Sequence, residues 1–226
     1  MGNRLNEKMP SAAATDAKRE HARGKLAPRS DNMVRIIDAA AALFAAQGFA
    51  ATSMEQVASA CQAGKDTIYR RFPSKLALFG AVLEHAHMRW VTELGRFTER
   101  LPKDGDALDR LKRVARWFLE VNLDPELIAF KRISITESYV FAGKVQPGAQ
   151  DDPFMELLMG YVKEAQDAGR IAAGDRWFIA TQLVHSVVSL PLNETLVGST
   201  AYAAKNARDR HFKKAWELFL SGAAAR

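Results

Sequence analysis
Between Lys65 and Lys75 the chain reads KDTIYRRFPSK. Cations, hydroxyl groups and large apolar side chains are interleaved here, a mixture that suits a catalytic loop, a packed helical corner or a DNA-reading helix. The spacing separates the roles. Ile68 and Phe72 stand four apart, so on a helix both point inward. Lys65, Asp66, Thr67, Tyr69 and Arg70 then lie on or near the outward, N-terminal surface. Tyr69 either meets a phosphate backbone there or completes the packing of the corner. Of Arg70 and Arg71, one is expected on a polyanion and the other on an ordinary solvated face. Lys75 follows Pro73-Ser74 at the start of another helix, where free backbone N–H groups also suit a phosphate.

Other chemistries lack their residues. The sequence has no Gly-rich phosphate loop, no His-Glu-x-x-His, no cysteine cluster and no Gly-x-Ser-x-Gly. His85 and His87, two apart on a helix, face different ways and make no metal pair. Asp151-Asp152 precedes Pro153 and reads as a helix cap rather than a metal site. No metal and no cofactor are implied. An enzyme assembled from distant residues of the C-terminal half, or a protein-contact module that never meets DNA, are the alternatives to a DNA-binding function.

Charge is distributed unevenly. The net charge is +6, yet the residues up to Arg89 hold 13 Lys and Arg against 8 Asp and Glu, and the remainder holds 19 against 18. A polyanionic partner is therefore expected for the first part only. The single cysteine, Cys61, excludes an internal disulfide and fits a reducing cytoplasm; a small buried residue is its expected role. Neither a secretory leader nor a run of apolar residues long enough for a membrane is read from the pattern, so the sequon at Asn193 has no expected use.

The elements that position these residues are helical throughout. Residues 1–30 form a polar, basic arm. A helix capped by Asp31 or Asn32 carries Val34, Ile37, Ala41 and Phe44 and stops at Gly48. Thr52 or Ser53 caps a short second helix; a third runs from Lys65 to about Phe72 and ends at Pro73. Ser74 caps a longer one bearing Phe79, Val82, Leu83, Ala86 and Trp90. Further helices are expected over Leu108–Phe118, Pro125–Phe141 and Phe154–Ala165. No alternating strand pattern occurs, and the fold class is all-α.

Two short helices joined by a tight turn and packed on a preceding helix make a helix-turn-helix, here about residues 53–72. With "LFAAQGF", "ATSMEQVASA" and "TIYRRFPSKLALF" in this order, Asn32 to Trp90 resembles the DNA-binding domain of the TetR family of bacterial transcriptional regulators. That resemblance implies phosphate contacts at Thr52, Tyr69 and Lys75, and a recognition helix, or its entry, at Lys65, Asp66, Thr67 and Arg70. It implies a homodimeric, ligand-responsive repressor on a pseudo-palindromic double-stranded operator. Three positions depart from the family pattern. Gln62 replaces the usual turn glycine and must take a left-handed conformation or reshape the turn. Gly64 replaces a serine cap. Asp66 brings a negative charge that either repels phosphate or accepts from a cytosine amino group.

Residues 31–91 are thus read as the DNA-binding domain and 92–226 as a helical effector-binding and dimerisation domain. Its aromatic residues exceed what simple stripes require. Trp117, Phe118, Phe130, Phe141, Phe154, Tyr161 and Trp177, with His185, line an effector pocket or fill the core. The stretch WFIATQLVHSVVSLPLNETLV is apolar nearly all round, which a helix accepts when covered on both sides. Leu183, Val187 and Leu190 there, with Phe212, Trp216 and Phe219 of the last helix, form the expected dimer surface, burial within one domain being the alternative.

Overall fold
The computed structural model describes residues 29–102, 104–137 and 152–223, and these are helical with no strand among them. In chain order the helices are α1 (Arg29–Ala51), α2 (Met54–Ala60), α3 (Lys65–Arg71), α4 (Lys75–Glu99), α5 (Ala107–Asn122), α6 (Pro125–Thr136), α7 (Pro153–Asp167), α8 (Arg176–Val184), α9 (Leu190–Leu196) and α10 (Lys205–Ala223). A π-helical turn, His185–Ser189, joins α8 to α9. Most of the expected basic arm and Phe141 lie outside the described residues.

Local chemistry explains most boundaries. At Gly48 (φ 82°, ψ 175°) the chain leaves helical geometry before a last turn to Ala51. Ser53 and Gln56 form a capping box, each side chain satisfying the other's backbone N–H. Ser74 caps α4 by accepting from the Ala77 N–H. Asp106, Asp124, Asp152 and Asp175 cap α5, α6, α7 and α8, with Pro125 and Pro153 following two of them. Asp152 is the capping half of the Asp151-Asp152 pair.

Two cores result. Ile36, Ile37, Ala40 and Phe44 of α1 pack with Val57, Ile68, Phe72, Leu78, Phe79 and Val82 in the N-terminal one. The sequence stripe is displaced by part of a turn: Val34 is 42% exposed, and Ile36 takes the buried place. By length and composition Asn32–Ala51 is apolar enough to cross a bilayer, although Arg35 and Asp38 interrupt it; here its apolar face lies in this core. The second core gathers α5, α7, α8 and α10 around Leu111, Leu119, Leu158, Leu183 and Trp216.

The cores are not separate. The boundary expected at residue 91 falls inside α4, which continues to Glu99. Phe130 and Ile133 of α6 complete the N-terminal core from the other half of the chain. Arg89 of α4 and Glu126 of α6 form an ion pair beside them.

Gln62 adopts φ 53°, the one positive φ at a non-glycine among the described residues. The turn keeps its shape and accepts the strain, which costs about 1 kcal/mol for a residue with a Cβ. Gln62→Gly should raise the urea midpoint without changing the slope, adding about 0.5–1 kcal/mol of stability.

Candidate nucleic-acid interface and effector cavity
Helix α3 stands on two anchors. Ile68 is fully buried and Phe72 nearly so, while Gly64, extended at φ −66° and ψ 143°, starts the helix with no side-chain cap. Lys65, Asp66, Tyr69 and Arg70 are exposed, Tyr69 by 44%; Thr67 and Arg71 are half-buried. Arg71 lies against Met33 of α1. Lys65 pairs with Glu55 of α2 at 3.3 Å, and that carboxyl is held below its ordinary range, first by a backbone hydrogen bond and then by Lys65. Both partners are solvated, so the pair is weak. Arg35 of α1 donates to the Cys61 carbonyl at 2.9 Å and steadies the turn before α3.

The two other expected phosphate ligands are engaged elsewhere. Lys75 donates to the carbonyls of Phe49 (2.7 Å), Thr52 (2.8 Å) and Ala50 (3.3 Å) and sits over the Phe49 ring, 4.5 Å from its centre. Its three protons close the end of α1 onto the start of α4. Thr52 is 2% exposed; its hydroxyl donates to Gly48 O at 2.7 Å and accepts from Gln47. Both residues build the corner that carries α2 and α3. A Lys ammonium satisfies a helix end as well as an anion, and in this chain Lys75 is occupied by the corner.

The aromatic residues divide as well. Trp117, Phe118, Phe130 and Phe154 line one cavity of about 270 Å³, with Leu83, Ala86, Trp90 and Leu94 of α4 forming the opposite wall. Tyr161, Trp177 and His185 lie away from it: Tyr161 and Trp177 are half-buried and His185 is exposed. Asn122 and Lys131, which the sequence reading passed over, also reach the cavity. Nothing in their periodicity sets them apart; the signal is a polar pair where two apolar helices meet.

The expected dimer residues are mostly protomer core. Leu183, Val187, Phe212, Trp216 and Phe219 are buried in this one chain, each at most 8% exposed, and Leu190 alone of the six is open, at 52%. Their helices turn other apolar groups outward, Phe178 at 60% and Leu218 at 72%.

Two sequence profiles cover this architecture. Residues 36–82 match "Bacterial regulatory proteins, tetR family", and residues 109–222 match "AefR-like transcriptional repressor, C-terminal domain". The chain belongs to the TetR family. It is a DNA-binding transcriptional regulator by fold and by domains. No curated protein matches its sequence. Among solved TetR-family structures, a putative regulator from Mesorhizobium loti MAFF303099 aligns with a TM-score of 0.74 at 24% identity, over 88% of this chain and 100% of its own. The flavonoid-responsive regulator FrrA aligns at 0.62 and 27% identity, over 87% and 99%. A putative regulator from Saccharomonospora viridis, solved in complex with choline, aligns at 0.64 and 19% identity, over 88% and 100%.

Lys75→Met in this TetR-family protein should lower stability by about 2–3 kcal/mol, since three carbonyls lose a charged donor. A urea titration followed by circular dichroism measures this; a shift below about 0.5 kcal/mol would show that water replaces the ammonium at no cost.

Proposed function
We propose that this protein is a homodimeric repressor, released from a pseudo-palindromic operator by a small molecule held in the cavity between α4, α5 and α6. One observation carries the reading: Phe130 lines the effector cavity and is also part of the core on which α3 stands. That the related folds include a flavonoid-responsive regulator and one holding choline supports a small-molecule effector.

Lys65, Tyr69 and Arg70 are the groups of α3 that reach DNA, with Asp66 and Thr67 leading into the groove and Arg71 at its edge. Lys75 and Thr52 serve indirectly, by fixing the corner from which α2 and α3 project. The two-fold axis passes beside the outward faces of α8 and α10. Phe178, Gln182, Ser186 and Leu218 line one open apolar groove there, and a second copy would cover it. Two recognition helices then read half-sites one helical turn, or a multiple of it, apart.

A ligand works by preferring one arrangement of the dimer over the other. Filling the cavity presses on α4 and on Phe130 together, so the released state is one in which α4 tilts and the two copies of α3 no longer match successive major grooves.

Selection from randomised duplexes by the purified protein should return a pseudo-palindrome. Its affinity should fall about 10³- to 10⁵-fold between 50 and 200 mM salt if each dimer covers roughly 6 to 10 phosphates. Tyr69→Ala with Arg70→Ala should weaken operator binding about 10- to 100-fold while sedimentation still reports a dimer. Full affinity in that variant would remove α3 from the interface. Phe178→Asp with Leu218→Asp should sediment as a folded monomer; an intact dimer would place the two-fold axis elsewhere.

A further inference from the structure
We propose that the cavity takes a weak organic acid, a ring-bearing apolar body with one anionic group that pairs with the ammonium of Lys131. The assignment rests on the effector reading above and supplies its chemistry. Trp90, Trp117, Phe118 and Phe154 give the cavity flat, apolar walls suited to rings. Among the described residues, Lys131 is the one lysine or arginine that reaches this space.

Lys131 is half-buried and donates to Asn122 Oδ1 at 2.6 Å. Asn122 is itself 6% exposed, and its amide donates to the Phe118 carbonyl at 2.9 Å. The asparagine is therefore committed at both ends and holds the ammonium at a fixed place on the wall. Among the described residues Lys131 has this one acceptor and no carboxylate partner, so two of its three protons are available to an incoming group. Burial alone holds its pKa down at about 8, with no neighbouring charge contributing.

A lysine desolvated without a counter-ion is costly where an apolar residue would pack equally well. An anion entering the cavity offsets that cost. A neutral ligand leaves it in place, and a cation is repelled. Among the described residues two other titratable groups face the cavity: His87 from α4, which is exposed, and Asp152 at the start of α7. The Asp152 carboxylate accepts from the Phe154 N–H at 2.9 Å, and the positive end of the α7 dipole offsets part of its charge. From α5 the polar group is Asn122, which is neutral. Among the described residues of the wall, Lys131 is thus the ammonium group open to an anion.

The test uses the full-length protein and a panel of two- and three-ring aromatic carboxylates, each paired with its neutral carboxamide. Binding is read from the fluorescence of Trp90 and Trp117. The acids should bind about 10- to 100-fold more tightly than their amides, as a charge-assisted hydrogen bond in a buried site allows. That advantage should fade as pH rises from 7 to 9.5 and Lys131 loses its proton, while amide binding stays flat. Lys131→Met should bind acid and amide alike, and Lys131→Arg should restore the preference. Thermal melts establish that both variants fold. Amides binding as well as acids, no acid binding at all, or an acid preference that survives in Lys131→Met would each overturn the assignment. Acids that bind with the expected Lys131 dependence and yet leave the operator complex intact would uphold it and overturn the effector reading instead.

Discussion
The structure turns on Phe79. Its ring is fully buried and meets Phe44 (5.1 Å, 80°), Phe49 (5.6 Å, 67°) and Phe130 (6.2 Å, 81°) edge to face. Such pairs contribute about 0.5–1.5 kcal/mol each beyond the area they bury. Their position matters more than their sum. Phe44 belongs to α1, Phe49 to the corner after Gly48, Phe79 to α4 and Phe130 to α6, so four segments from both halves of the chain share one aromatic centre. The core of the helix-turn-helix is therefore completed by Phe130 and Ile133 of α6, from the C-terminal half of the chain.

The corner beside this centre shows how polar groups complete the frame. Gly48 turns the chain out of α1 and leaves the carbonyls of Phe49, Ala50 and Thr52 pointing at one place, and the Lys75 ammonium fills it. A cation in the first turn of α4 opposes that helix's dipole; three carbonyls and the Phe49 face outweigh the penalty. Thr52 and the Ser53–Gln56 box close the remaining donors. The orientation of α2 and α3 on α4 is consequently set by hydrogen bonds of fixed direction as well as by packing, as a reading head that must match DNA grooves requires.

What was legible in the sequence was what is decided locally. Pro73, Ser74 and Gly48 mark helix ends by chemistry confined to a few residues, and the Ile68/Phe72 spacing settles which face of α3 is free. Gln62 in place of glycine posed a choice between a left-handed residue and a reshaped turn, and the left-handed conformation is the one adopted. Long-range assignments were less accessible. Periodicity says that Leu183, Val187 and Trp216 are covered, not whether by the same chain or by a copy; here the chain's own helices cover them. Trp117 and Tyr161 both carry aromatic rings on apolar stripes, and only packing puts one at a cavity and the other elsewhere. Lys75 illustrates the converse, for a cation placed suitably for phosphate is placed equally well for carbonyls.

Pro191 has no N–H to return to the Val187 carbonyl one turn earlier, and His211 Nε2–H of α10 donates to that oxygen at 2.9 Å. The π-helical turn and the proline thus fix α10 to the long helical run from Arg176 to Leu196 by a directional bond amid apolar contacts. On the other side, Arg132 of α6 donates to the Thr195 and Leu196 carbonyls at the end of that run. Helix α6 therefore holds three things at once: Phe130 in the α3 core, Lys131 on the cavity wall, and Arg132 on the C-terminus of α9. Three consecutive residues on one short helix face three different parts of the molecule. Close-packed interiors shift between discrete arrangements rather than deforming smoothly, so a rotation of α6 that re-seats any one of these groups must re-seat the other two.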